Sequence, residues 1–182
     1  MAQNFKISFA LEESDVAYFR KIMRSARKSA AEQDEAKIIE AVQDLIGRVR
    51  TTKKTPSFVR EAVQVLDDLV HMLHDRDYEV PKAVHSEILG ALAYFANPED
   101  LIPDQVPGLG FLDDAIMIKI LEEEFRQELW GYHQFVKFRT GAEVRPWTTV
   151  ARGRLPERLA EKRRQIRADV DRKKRERRFA WW

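Results

Sequence analysis

The chain has 182 residues, 32 Lys/Arg against 30 Asp/Glu, and no cysteine. That length suits one ordinary hydrophobic core with an appended element, and the absence of thiols excludes disulfides and thiolate metal sites. The first residues lack the pattern of a signal peptide, and no apolar run approaches the ~18 to 20 residues needed to span a bilayer, so the expectation is a soluble, cytoplasmic protein.

The charge is unevenly placed. Residues 151–182 hold 13 Lys/Arg and 5 Asp/Glu, which leaves 19 against 25 for residues 1–150. An acidic body of 1–150 and a basic extension of 151–182 follow. Such an extension either faces an anionic partner or folds back on its own acidic body.

In chain order, Phe5, Ile7 and Phe9 alternate with polar or small residues as a short strand would. Its only β-friendly counterpart is Trp147 to Val150, so a small two-stranded pairing of the two is expected. The period then becomes helical. Ser14 or a neighbour caps a first helix carrying Val16, Phe19, Met23 and Ala26, and Ile38, Val42, Leu45 and Val49 line a second. Thr55-Pro56 supplies a cap and first-turn pair for a third, whose Ala62, Leu66, Leu69, Val70 and Leu73 share a face. Pro81 opens a fourth with Val84, Ile88, Ala91, Leu92 and Phe95 in line. A long fifth helix sets Ile118, Leu121, Phe125, Leu129, Tyr132 and Val136 on one stripe and ends near Gly141. The fold class is therefore mainly α, a bundle of about five helices. A last helical segment, Leu155 to Arg178, has only the thin apolar line Leu155, Leu159, Ile166 and Val170, which predicts an exposed or half-docked extension.

Between the fourth and fifth helices lies NPEDLIPDQVPGLGFLDD, residues 97–114. Pro98 stops the fourth helix at about Ala96. Pro103 and the Pro107-Gly108 pair fix turns, and Gly108 or Gly110 is free to take positive φ. Leu101, Ile102, Val106, Leu109 and Phe111 are too apolar for a solvated loop, so the segment plugs the end of the bundle. Its buried backbone N–H groups need acceptors, since each unpaired one costs about 1 to 3 kcal/mol. Asp113 and Asp114 fall in the first turn of the fifth helix, where the macrodipole favours negative charge, and their register points both toward protein. Asp100 and Asp104 serve similarly from the loop side. The alternative is that Asp100, Asp104, Asp113 and Asp114 bind a divalent cation. The structural reading is preferred, because no calcium-loop pattern is present.

The segment resembles the signature of the YkvA-like family, a domain of unknown function, DUF1232. Members look like P-x-D-L-I-P-D-x-x-P-x-x-G-x-x-D-D, and this chain supplies Pro98, Asp100, Leu101, Ile102, Pro103, Asp104, Pro107, Gly110, Asp113 and Asp114 at those places. Two departures stand out. Glu99 occupies a place that is often apolar in relatives, and Glu122, Glu123 and Glu124 follow where many relatives continue with an apolar, membrane-like run. The resemblance implies a fold element and no particular chemistry.

Other chemistry is sparse. Asp67, His71 and His74 have a spacing that could hold zinc but sit away from the third helix's apolar face, which favours a solvated polar face. His85 is expected to pair with Glu122 or Glu123 of an antiparallel fifth helix. Gly108-x-Gly110 is no dinucleotide fingerprint, because Asp113 stands where the next glycine belongs. Neither a Gly-x-Ser-x-Gly elbow nor a cysteine nucleophile is present.

In the extension, Arg163, Arg164, Arg167, Arg172, Lys173, Lys174, Arg175, Arg177 and Arg178 precede the terminal Trp181 and Trp182. They suit an acidic protein partner first, and nucleic acid or an anionic membrane second. Self-association is left open. The sequence thus favours a non-enzymatic interaction or adaptor module without a cofactor. A metal-dependent hydrolase using the aspartates and a nucleic-acid or membrane binder working through the tail are the alternatives.

Overall fold

A computed structural model describes residues 10–30, 33–52, 55–96, 110–143 and 153–179. Among these residues the chain forms seven α-helices, one 3-10 turn and no strand. The expected pairing of Phe5–Phe9 with Trp147–Val150 lies outside the described residues.

Helix α1 (Glu13–Ala30) starts with the Asp15 carboxylate accepting from the Glu12 backbone N–H at 2.9 Å. This is the reach-back half of a capping box, and Ser14 lies inside the first turn and is not the cap residue. Helix α2 (Glu35–Thr51) is capped by Asp34, whose Oδ1 accepts from Ala36 N at 3.0 Å. Its Ile38, Val42, Leu45 and Val49 are buried, as their spacing predicts. Helix α3 (Ser57–His74) begins without a side-chain cap. Thr55 Oγ1 instead donates to Val49 O at 3.2 Å and Thr52 O at 3.0 Å, closing the turn between α2 and α3.

Helix α4 (Lys82–Leu92) tightens into a 3-10 turn, Ala93–Ala96, that buries Tyr94 and Phe95. The expected fifth helix is two. Helix α5 (Leu112–Glu124) and helix α6 (Arg126–Glu143) meet at Phe125, which is buried at φ −96°, ψ 15°. The break lets each half pack elsewhere, α5 mainly on α3 and α6 mainly on the last helix.

That last helix, α7 (Leu155–Phe179), corrects the expectation of a half-docked extension. Leu159, Ile166 and Val170 are buried, Val170 completely. Burying each such side chain contributes about 1.5–3 kcal/mol. A thin apolar line suffices because α6 offers Gly131 opposite it. A Cβ on Gly131 would lie 2.6 Å from Val170 Cγ2, 3.1 Å from the Tyr78 hydroxyl and 3.2 Å from Ile166 Cγ2. Lys162, Arg163 and Arg167 beside the line are half-buried.

Candidate functional site

The aspartates of the motif are the first place to look. Phe111 precedes α5 in the left-handed region at φ 66°, and its carbonyl accepts from Ala115 N at 2.9 Å. A non-glycine residue there costs of order 1–2 kcal/mol, which the burial of the Phe111 ring and the Arg48 guanidinium 5.8 Å from its centroid offset. Gly110, just before Phe111, is a buried turn residue, and Gly108 lies outside the described residues. Asp113 and Asp114 are 3% and 8% exposed in the first turn of α5, facing protein as their register predicts. Asp100, Asp104, Pro98, Pro103, Pro107 and Gly108 lie outside the described residues.

The basic extension is the second candidate, and much of its charge is turned inward. Glu128 of α6 is fully buried; Arg167 Nη1 donates to its Oε2 at 2.7 Å, and Lys174 Nζ lies 2.6 Å from its Oε1. Arg167 also lies over the Tyr78 ring, 5.8 Å from its centroid. Burial, with Glu128 adding to it and Arg167 opposing, pushes the Tyr78 hydroxyl up to about 12. Arg163 donates to Asp77 O at 3.0 Å and pairs with Glu79 at 2.8 Å. Arg177 donates to Glu123 O at 3.0 Å and pairs with the Glu123 carboxylate. Lys173 sits 4.6 Å from the Trp130 ring centroid. Arg172 pairs within α7 with Asp169 at 2.7 Å. Arg164 and Arg175 face outward. Trp181, Trp182 and the Arg178 side chain lie outside the described residues.

A neighbouring ion pair braces the same end. Arg139 of α6 meets Asp75 through two bonds of 2.8 and 2.7 Å, while Asp75 Oδ1 accepts from Asp77 N at 3.0 Å and Tyr78 N at 3.1 Å. Burial pushes the Asp75 carboxyl up. The Arg139 hydrogen bonds, the Tyr78 and Asp77 N–H groups and the Arg139 charge outweigh it and hold the group below its ordinary value.

The histidines pair with carboxylates and do not cluster. His85 Nε2 lies 3.2 Å from Glu35 of α2. The expected partners are engaged elsewhere, Glu122 with Lys119 at 2.5 Å and Glu123 with Arg126 and Arg177, because α4 packs on α1 and α2 while α5 packs mainly on α3. Asp67 binds Arg50 at 2.9 Å and His71 stands 3.7 Å from it, whereas His74 is exposed. His133, which sequence reasoning missed, pairs with Asp68 at 2.8 Å beside an open cleft of about 540 Å³. These two residues are 65 positions apart, so no local pattern announces them. Among the described residues no group of three or more His, Asp or Glu is placed to hold a metal ion.

The remaining feature is the face of α1. From Val16 to Ala30 the helix carries Arg20, Lys21, Arg24, Arg27 and Lys28 and no acidic residue. Arg27 is anchored to Glu124 of α5 at 2.6 Å. Arg20, Lys21, Arg24 and Lys28 are exposed. Beside them an open groove of about 470 Å³ runs between α1, α5 and the start of α3, with Leu11, Val16, Phe58, Leu112, Ile116 and Ile120 in its walls and Arg20, Lys119 and Glu123 at its rim. Leu11 and Phe58 are 37% and 45% exposed, and Tyr18 on α1 is 54% exposed. The signal for this face was present in the run RKIMRSARK, but the larger charge of the extension masked it.

The family model described as "Protein of unknown function (DUF1232)" matches residues 86–120, from the middle of α4 through the motif into α5. An "Uncharacterized membrane protein YkvA" of Bacillus subtilis (strain 168) is 30% identical over 80 residues, 42% of this chain and 76% of that protein. This chain belongs to the YkvA-like DUF1232 family. No solved structure gives a significant match. The DUF1232 match covers the motif and the ends of the helices it joins; α1, α6 and α7 lie outside it. No helix among the described residues is long and apolar enough to cross a membrane.

Proposed function

We propose that this YkvA-like chain is a non-enzymatic interaction module that binds an anionic amphiphilic partner on the face made by α1 and the groove beside it. The observation that carries the reading is the juxtaposition of four exposed cations on α1 with an open apolar groove of about 470 Å³. Exposed apolar surface beside a charge stripe of one sign is the chemistry of a binding face. In this reading Asp100, Asp104, Asp113 and Asp114 organise the connection into α5, and α7 is an internal brace. The name of the Bacillus subtilis relative, a membrane protein, agrees with a partner of this kind.

Anilinonaphthalene sulfonate, a fluorescent apolar ring system with one anionic group, is a direct probe. The full chain is expected to give a saturable fluorescence rise that Phe58→Asp and Arg20→Glu each weaken. Both residues are exposed, so neither change disturbs the core. No rise, or a rise that both variants leave intact, contradicts the reading.

A further inference from the structure

The cations of α1 extend well beyond the groove. Arg20 lies at its rim, but Lys21, Arg24 and Lys28 continue along the outward side, with Ala17, Tyr18 and Ser25 also exposed. From Arg20 to Lys28 the stripe is ~12 Å long at 1.5 Å per residue. The opposite side of α1 is committed to the bundle through Phe19, Met23, Ala26 and Ala30. A peptide seated in the groove would meet Arg20 and Lys119 and leave the other three cations idle. A flat anionic surface meets all of them together. It also accepts Leu11, Tyr18 and Phe58, which stand out as separate exposed points, whereas nucleic acid, whose bases stack on rings such as Tyr18 and Phe58, offers Leu11 no apolar layer to enter. Because the apolar face of α1 is committed to the bundle, its attraction to such a surface is electrostatic, with the few exposed apolar side chains adding buried area.

We propose that the occupant of this face is an anionic phospholipid surface, on which α1 lies flat with Lys21, Arg24 and Lys28 toward the headgroups and Leu11, Tyr18 and Phe58 at the acyl boundary. The proposal rests on the reading of this face given above and adds the identity of the partner. Each cation near such a surface raises affinity about fivefold, and salt screens the effect.

The test is co-sedimentation of the full chain with phosphatidylcholine vesicles, with and without phosphatidylserine, at low and high salt. Binding is expected only with phosphatidylserine and is expected to weaken as salt rises. The triple change Lys21→Glu, Arg24→Glu, Lys28→Glu should lower it by more than about two orders of magnitude while helical circular dichroism stays unchanged. Tyr18→Ser should weaken it further at fixed charge. Arg164→Glu with Arg175→Glu, on the outward side of α7, should leave it unchanged. The proposal is overturned if the native chain ignores phosphatidylserine vesicles, if the α1 variant binds as well as the native chain, or if only the α7 variant loses binding. Saturable binding of anilinonaphthalene sulfonate or of an acidic amphipathic peptide without vesicle binding would overturn the lipid assignment and leave the reading of the face standing. Failure of the dye, the peptide and the vesicles alike removes both.

Discussion

Helices α1 and α7 are both rich in Lys and Arg, yet their charges do opposite things. In α7 the basic residues surround a buried apolar line, and Arg163, Arg167, Lys174 and Arg177 reach carboxylates of the body at Glu79, Glu128 and Glu123. In α1 one arginine, Arg27, is tied to the body, and Arg20, Lys21, Arg24 and Lys28 face outward. A charge count along the sequence therefore does not show how many of a helix's cations stay turned outward. What matters is where the acidic residues stand once the chain is folded. The local excess of the extension is partly neutralised by the acidic body, and the smaller cluster of α1 has no acidic residue within its last fifteen positions.

The contrast can be broken most forcefully at the α6–α7 contact. Replacing Ile166, 2% exposed on α7, by alanine is expected to cost about 2–4 kcal/mol, read as a lower urea midpoint. If α7 were a loose appendage, the change would be close to neutral. Gly131→Ala is a smaller but sharper probe. In a solvated helix alanine is the better residue by about 1 kcal/mol, whereas here the added methyl meets Val170 at 2.6 Å. A net destabilisation of about 1–2 kcal/mol is expected, and a stabilised variant would show that α7 does not sit where described.

The Asp75–Arg139 pair sharpens the comparison through pH. The folded chain holds the proton off Asp75 more strongly than the unfolded chain does, so the ionised group stabilises the fold above its ordinary value of 3.8. That contribution is lost as the pH falls through the lower folded value. Urea midpoints measured on acidification should fall more steeply for the native chain than for Asp75→Asn, which already lacks the charge; parallel curves would contradict the assignment. The smallest effect is expected on the outward side of α1. Reversing Lys21, Arg24 or Lys28 singly should change stability by no more than about 0.5 kcal/mol.

Regular periodicity made much of this fold legible. Ile38, Val42, Leu45 and Val49 repeat at helical spacing and are all buried, and the register of Asp113 and Asp114 correctly turns both inward. Elements set by partners distant in sequence were not legible. Phe125 continues an apolar stripe, so nothing local announces that the chain bends there to exchange α3 for α7 as its packing partner. Four apolar residues on α7 look too few for docking until Gly131, on another helix, is seen to admit a close approach. His85 finds Glu35 and His133 finds Asp68 through helix packing alone. Thr55 carries the chemistry of a cap but uses it on the preceding helix.

The difference between the two basic helices can be read directly with an amine-acetylating reagent and mass spectrometry of the native chain. Lys174, held 2.6 Å from the buried carboxylate of Glu128, is expected to label several-fold more slowly than Lys21 and Lys28, and unfolding in urea should erase the difference. Equal rates in the native chain, or slower labelling of Lys21 and Lys28, would contradict an inward-facing α7 and an outward-facing α1.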